Sequence, residues 1–130
     1  MHNRKEPVYQ NFLEDMVKDM ELCVRIARDA GVADDKIILD PGVGFGKTYE
    51  MNLSAIHHVD ILHTLGFPIL LGTSRKSVIG LTLDLPTDQR VEGTLATTVI
   101  GVMKGCAFVR VHDVKENKRV IQMTEAILGG

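Results

Sequence analysis

No apolar run in this 130-residue chain approaches the roughly 20 residues that span a bilayer, so no transmembrane helix is expected. The N-terminal Met1-His-Asn-Arg-Lys-Glu-Pro has no apolar h-region and does not read as a signal peptide. The expected compartment is the cytoplasm. Charge of one sign is also missing. Net charge is −2, so nothing draws the chain to nucleic acid or to an anionic membrane surface. Cysteine is scarce. Cys23 and Cys106 fall in a helix pattern and beside a strand pattern, where buried free thiols are expected. No Cys/His spacing suits a metal. His57, His58 and His63 make no two-ligand face on their helix and read as solvated or half-buried. Internal repeats, low-complexity stretches and long linkers are absent as well. Hydrophobic residues at 45% and charged residues at 25% leave one ordinary globular domain.

Within that domain, helical and strand patterns alternate. Phe12, Leu13, Met16, Val17, Met20, Cys23, Val24 and Ala27 recur at helical spacing, which predicts a helix over about 9–30 stopped by Gly31. A first strand is expected at 37–40. A second helix, N-capped by Asn52, carries Leu53, Ile56, Val59 and Leu62 on one face and ends at Gly66. The second strand is expected at 69–72, after Pro68. A third helix over about 88–104 has Thr87 as N-cap and Gly105 as its stop. Its Gly93, Ala96 and Gly101 suggest close approach to a neighbour. A third strand at 108–111 and a last helix at about 115–128 complete the chain.

This order, α-β-α-β-α-β-α, means an α/β fold with parallel strands and right-handed crossovers. The first helix has no strand before it. Each strand reads apolar on both faces and wants cover, so the chain reads as a piece of something larger.

The stretch Asp40-Pro-Gly-Val-Gly44-Phe45-Gly46-Lys47-Thr48 follows the first strand. Asp40 thus stands at a strand's C-terminal end, where α/β folds place their chemistry. The loop resembles two phosphate cradles and fits neither. A P-loop would need Gly where Pro41 stands, and a dinucleotide fingerprint would need Gly at Lys47. A tight βα turn, with glycines at positive φ and Lys47 in water, is the structural alternative.

The other strands also end in polar groups. The second runs into Gly72-Thr73-Ser74-Arg75-Lys76-Ser77. The third carries Arg110 and then His112-Asp113. In a parallel sheet these ends share one face. Arg75, Lys76, Arg110 and His112 make a cationic rim suited to phosphate or pyrophosphate. Asp40 can accept two hydrogen bonds from an N–H-rich heterocycle, and Phe45 can stack on an aromatic substrate. Ser74–Ser77 also reads as a turn opening a short helix. Arg110 inside a strand needs an anion, either a structural Asp or a ligand, because an unpaired buried cation is costly.

Asp40-Pro-Gly-Val-Gly-Phe-Gly-Lys, Gly72-Thr-Ser-Arg-Lys-Ser and Val109-Arg-Val-His-Asp-Val together resemble dihydropteroate synthase in wording and spacing. The resemblance runs over essentially all of residues 1–130. It implies a partial pterin-binding domain: the C-terminal half of a (β/α)8 TIM barrel, parallel strands inside and helices outside. The family joins 6-hydroxymethyl-7,8-dihydropterin diphosphate to p-aminobenzoate, releases pyrophosphate, and is the target of sulfonamides. By that resemblance Asp40 bonds the pterin ring, and Lys76 contacts the pterin and frames the p-aminobenzoate site. Gly44 belongs to the substrate-binding loop. Phe45 and Ser77 pack on the ring and contact the carboxylate. Arg110 and His112, with Arg75 nearby, anchor the diphosphate. Met1 matches a methionine lining the pterin pocket. Lys76, Asp40 and Arg110 are the catalytic set.

The same resemblance implies Mg²⁺ in the intact enzyme and a homodimer. The metal-binding Asn and two mobile loops belong to the half of the family's barrel that finds no match here. The isolated chain is therefore expected to be inactive. A non-catalytic half-barrel assembly module and a reduced-folate methyltransferase relative are the alternatives. The Ser74–Ser77 and Arg110–His112 motifs favour the synthase over the methyltransferase.

Overall fold

The computed structural model describes residues 2–129, with side chains from residue 11 onward. The elements are α1 (His2–Asp29), α2 (Tyr49–His57), β1 (Leu70–Leu71), α3 (Ser77–Leu83), α4 (Val91–Met103), β2 (Phe108–Val109) and α5 (Val114–Gly129). Three short 3-10 turns, Asp34–Lys36, Val59–Leu65 and Thr87–Gln89, join them.

The sheet is parallel, as the alternation predicts, but the strands are much shorter. Leu70 pairs with Phe108 and Leu71 with Val109. The expected first strand is reduced to a single parallel bridge, Leu39 with Ile69. Leu39 donates its N–H to the Pro68 carbonyl at 2.8 Å and accepts from the Leu70 N–H at 2.8 Å. Both bonds run towards β1, so the other edge of this segment is open. β1 is therefore central, with the Leu39 segment on one side and β2 on the other. Ile38 and Phe108, on the two outer segments, are 50% and 48% exposed, a pattern that parallel strands covered on both faces do not show.

The core lies between this ribbon and the helices. Met16 and Val24 reach it from α1, and Ala55 and Ile56 from α2. Val59 and Leu62 come from the 3-10 turn, and Val78 and Ile79 from α3. Leu39, Val43, Ile69 and Leu71 fill the centre. Leu62 and Ile69 are fully buried, each worth about 1.5–3 kcal/mol relative to an exposed side chain.

Helix ends account for several differences from the sequence reading. α1 begins at His2, well before the expected start near residue 9. α2 is capped by Thr48, whose hydroxyl accepts from the Met51 N–H at 3.2 Å, and not by Asn52. The stretch ending at Gly66 is a 3-10 turn, with Gly66 at φ 82°. Helix 88–104 divides into Thr87–Gln89 and α4. The turn after β1 opens the short helix α3. Cys23, expected buried, is exposed, because it flanks the open edge of 37–40. Cys106 is half-buried. Two of the three small residues of α4 do mark close approaches. A Cβ on Gly93 would come within 2.3 Å of Ile79 Cγ2, and one on Gly101 within 3.1 Å of Leu71 Cδ2. Ala96 is exposed.

α4 and α5 are locked by a buried polar pair. Thr98 Oγ1 donates to Asn117 Oδ1 at 2.6 Å, and Asn117 Nδ2 donates to the Asp113 carbonyl at 2.8 Å. Among the described residues no helix is long and apolar enough to cross a membrane.

Candidate active site

The segments that follow Leu39, β1 and β2 emerge at one end of the parallel ribbon. Asp40 is exposed there, its Oδ1 accepting from the Gly42 N–H at 2.8 Å. This local turn lets the chain reverse. Gly42, Gly44 and Gly46 hold φ of 71°, 91° and 65°, a region closed to most L-residues. The glycines therefore make a tight turn, as one sequence reading had it. Lys47 is not left in water. Its Nζ donates to the Gly42 carbonyl at 2.9 Å and braces the turn from within.

Asn52 holds the same turn from below. It is 3% exposed, and its Oδ1 accepts from the Gly44 N–H at 2.8 Å. The sequence marks Asn52 as a helix cap, and only the tertiary placement of Gly44 reveals that it supports the turn of the candidate site.

Lys76 joins this loop to the one after β1. Its Nζ donates to the Val43 carbonyl at 2.6 Å and lies 4.9 Å from the centroid of the Phe45 ring. The ring itself is 73% exposed. A Cβ on Gly44 would meet Lys76 Cδ at 3.3 Å, so the glycine gives the lysine its passage. A Cβ on Gly72 would lie 3.8 Å from Arg110 Cβ and 3.9 Å from Lys76 Nζ, which puts Arg110 beside Lys76. Burial pushes the Lys76 ammonium below the ordinary lysine range. The Asp40 carboxylate opposes the shift, while Arg110 and Lys47 add to it. Asp40, Phe45, Lys76 and Arg110 thus share one mouth.

Arg110 is exposed, which corrects the expectation of a buried cation. Its strand lies at the ribbon's edge, and among the described residues only its N–H is tied, donating to the Leu71 carbonyl at 3.0 Å. Solvent and any anionic ligand can reach its guanidinium. His112 is exposed as well, with Nδ1 2.7 Å from Ser74 Oγ. Ser77 is the first residue of α3 and is exposed. Arg75, at φ 57°, is engaged by Asp113 at 3.2 Å, so its charge is already partnered. Met1 lies outside the described residues.

A further set of groups fixes the Thr73–Ser77 turn, and no sequence pattern announces them. Arg90 Nη1 donates to the Arg75 carbonyl at 2.9 Å, and its Nε to the Leu85 carbonyl at 2.9 Å. Its guanidinium lies where a Cβ on Gly80 would fall. Thr94 Oγ1 accepts from the Arg75 N–H at 3.3 Å, and Thr73 and Thr97 pair their hydroxyls. The three histidines expected to be solvated or half-buried are so: His57 and His63 are exposed and His58 is half-buried. His57 and His58 stack on each other, and His63 Nε2 lies 2.7 Å from the Lys104 carbonyl oxygen. Among the described residues no three His, Cys, Asp or Glu side chains stand together as a metal site.

The mouth thus offers a carboxylate acceptor, an exposed aromatic ring, an ammonium, an open guanidinium and an imidazole. A flat heterocycle with N–H donors and an attached anion fits that set.

A family model described as pterin binding enzyme matches residues 1–112. Dihydropteroate synthase of Clostridium beijerinckii is 60% identical over 129 residues, covering 98% of this chain and 48% of that protein. Dihydropteroate synthase of Bacillus subtilis is 52% identical over 128 residues, covering 98% of this chain and 45% of that protein. The crystal structure of dihydropteroate synthase from Clostridium difficile in the presence of pteroic acid superposes with a TM-score of 0.86 at 48% identity, over 89% of this chain and 44% of that one. The chain spans about half the length of the curated relatives it matches. The fold is that of a half (β/α)8 barrel.

Proposed function

We propose that this chain, which belongs to the pterin-binding enzyme family, carries one part of a dihydropteroate synthase active site. The reading rests above all on one observation. The Lys76 ammonium is held between the Val43 carbonyl and the Phe45 ring, in the mouth it shares with Asp40 and Arg110.

In this reading 1–130 is a partial pterin-binding domain. Asp40 accepts from the N–H edge of the pterin. Gly44 and Phe45 pack beside the rings, with Lys76 across them and Ser77 at the p-aminobenzoate carboxylate. Arg110 and His112 take the diphosphate, and Arg75 stays near it through its pair with Asp113. Met1 is assigned to the pterin pocket. The amine of p-aminobenzoate attacks the exocyclic CH₂ of the pterin. A C–N bond forms, the C–O bond breaks, and pyrophosphate leaves with the bonding electrons. The amine's proton passes to water. The amine is a weak nucleophile, so the chain's contribution is to orient both substrates and stabilise the leaving group.

Among the described positions no three His, Cys, Asp or Glu side chains gather as a metal site, and the Mg²⁺ of the intact enzyme is assigned to residues other than these. The chain alone is expected to turn over little or not at all, since groups that act as a unit lose nearly everything when some are removed. Cytoplasmic location and a homodimer complete the reading. The dimer is supported by Met123, Ile127 and Leu128 on α5, which are 64%, 66% and 54% exposed.

The test has two arms. Pyrophosphate release with the pterin diphosphate and p-aminobenzoate should stay far below about 1 s⁻¹. Binding of a pterin by calorimetry should be lost in Asp40→Ala. Pterin binding that Asp40→Ala leaves unchanged would contradict the reading.

A further inference from the structure

We infer that Ser74 is a positioning residue that holds His112 in the neutral tautomer whose Nε2–H faces the mouth. Its role in ligand binding rests on the reading of His112 as an anion anchor; the tautomer itself does not.

Ser74 is 7% exposed. Its Oγ accepts the backbone N–H of His112 at 3.0 Å and lies 2.7 Å from His112 Nδ1. A hydroxyl has one hydrogen to donate and two lone pairs. If Nδ1 carried the proton, Ser74 would accept twice, and its own hydrogen would have no partner in a site nearly closed to water. An unsatisfied buried donor is costly. If Nδ1 is bare, the Ser74 hydroxyl donates to it, accepts the backbone N–H, and every group is satisfied. The ring proton then sits on Nε2, the nitrogen left to the solvent side of an exposed residue. There it can donate to an anion without a change in net charge.

The contact spans 38 positions in sequence and joins the turn after β1 to the end of β2. A second link beside it, Arg75 with Asp113 at 3.2 Å, keeps the two turns at a fixed separation. Loss of the hydroxyl would therefore free the ring to rotate or change tautomer while the backbone frame stays in place.

The experiment is ¹⁵N NMR of the His112 ring in the whole chain at pH 8, followed by calorimetric titration with pyrophosphate. The wild-type ring should show the Nε2–H signature; a dominant Nδ1–H signature overturns the inference. Ser74→Ala, folded by its amide spectrum, should show a mixture of tautomers and bind pyrophosphate about tenfold more weakly, the size of one oriented hydrogen bond to a charged group. Ser74→Thr, which keeps the hydroxyl, should restore both. Wild-type tautomer and affinity in Ser74→Ala would overturn the positioning role. If Ser74→Ala does not fold, the wild-type ring and Ser74→Thr decide. Pyrophosphate binding that His112→Ala leaves unchanged would overturn the anion-anchor reading and the positioning role with it, while the tautomer stands or falls on the ring's own signature.

Discussion

The Lys76 ammonium donates to the Val43 carbonyl oxygen at 2.6 Å, joining two loops 33 positions apart. That bond is the keystone of the mouth, since it sets the distance between the Gly-rich turn and the turn that opens α3. It also partly strips Lys76 of water. Burial lowers its pKa, Asp40 opposes the shift, and Arg110 and Lys47 reinforce it. A depressed lysine loses its charge at a lower pH than the ordinary 10.5. Below the lowered value Lys76 is charged and, in the proposed site, would support anion binding; above it that support would be gone. Pyrophosphate affinity measured at rising pH should therefore lose the difference between wild type and Lys76→Ala while exposed lysines are still protonated.

Asn52→Leu removes the acceptor of the Gly44 N–H from a buried position. Gly44 is exposed and water can replace the acceptor, so the lost bond should cost about 0.5–1.5 kcal/mol. Asn52→Asp keeps an oxygen acceptor in the same shape but buries a carboxylate, and should cost more. Urea unfolding of the two variants checks the order. Amide exchange at Gly44 should speed up in Asn52→Leu.

Gly93→Val should be among the more disruptive changes in α4. Even a Cβ there would stand 2.3 Å from Ile79 Cγ2, and Ile79 is 4% exposed and β-branched, with little room to yield. A loss of about 1–3 kcal/mol is expected from overpacking. Gly129→Ala, with open space around it, should be close to neutral by the same assay.

The two thiols should separate chemically. Burial pushes the Cys106 thiol up to about 11, with Asp60 adding to the shift, while Cys23 is exposed. At pH 8 a disulfide reagent should modify Cys23 quickly and Cys106 slowly, because the thiolate is the reacting species. The raised value also fixes a sign for stability. Between about pH 9 and 11 the folded state holds a proton that the unfolded chain has lost. Stability should fall through that window, and Cys106→Ala should remove that part of the slope.

Much of the mouth was legible because its residues follow apolar runs directly. Asp40, Lys76 and Arg110 each lie shortly past an apolar run, and parallel pairing alone sends such residues to one end. The strand lengths were not legible, since a ladder extends only as far as its neighbour runs in register beside it. Among the described residues Leu39 is bonded only towards β1, and a run of three apolar residues, Ile37 to Leu39, could not report that. The capping error at Asn52 has a similar origin. Thr48 and Asn52 are both good caps, and the choice was decided by a Gly44 N–H that arrives from the preceding loop. Arg90 left no trace at all, because its place over Gly80 exists only once α3 and α4 pack together.

The central claim, that the ends of these segments form one mouth for a pterin and its attached anion, is tested most directly by amide NMR of the ¹⁵N-labelled chain titrated with pyrophosphate and with 6-hydroxymethylpterin. Pyrophosphate should shift the amides of Ser74, Lys76, Arg110 and His112, and the pterin those of Asp40, Gly44 and Phe45, with Lys76 moved by both. Shifts confined to α5 or to the outer faces of the helices, or two ligands that share no affected residue, would contradict the account.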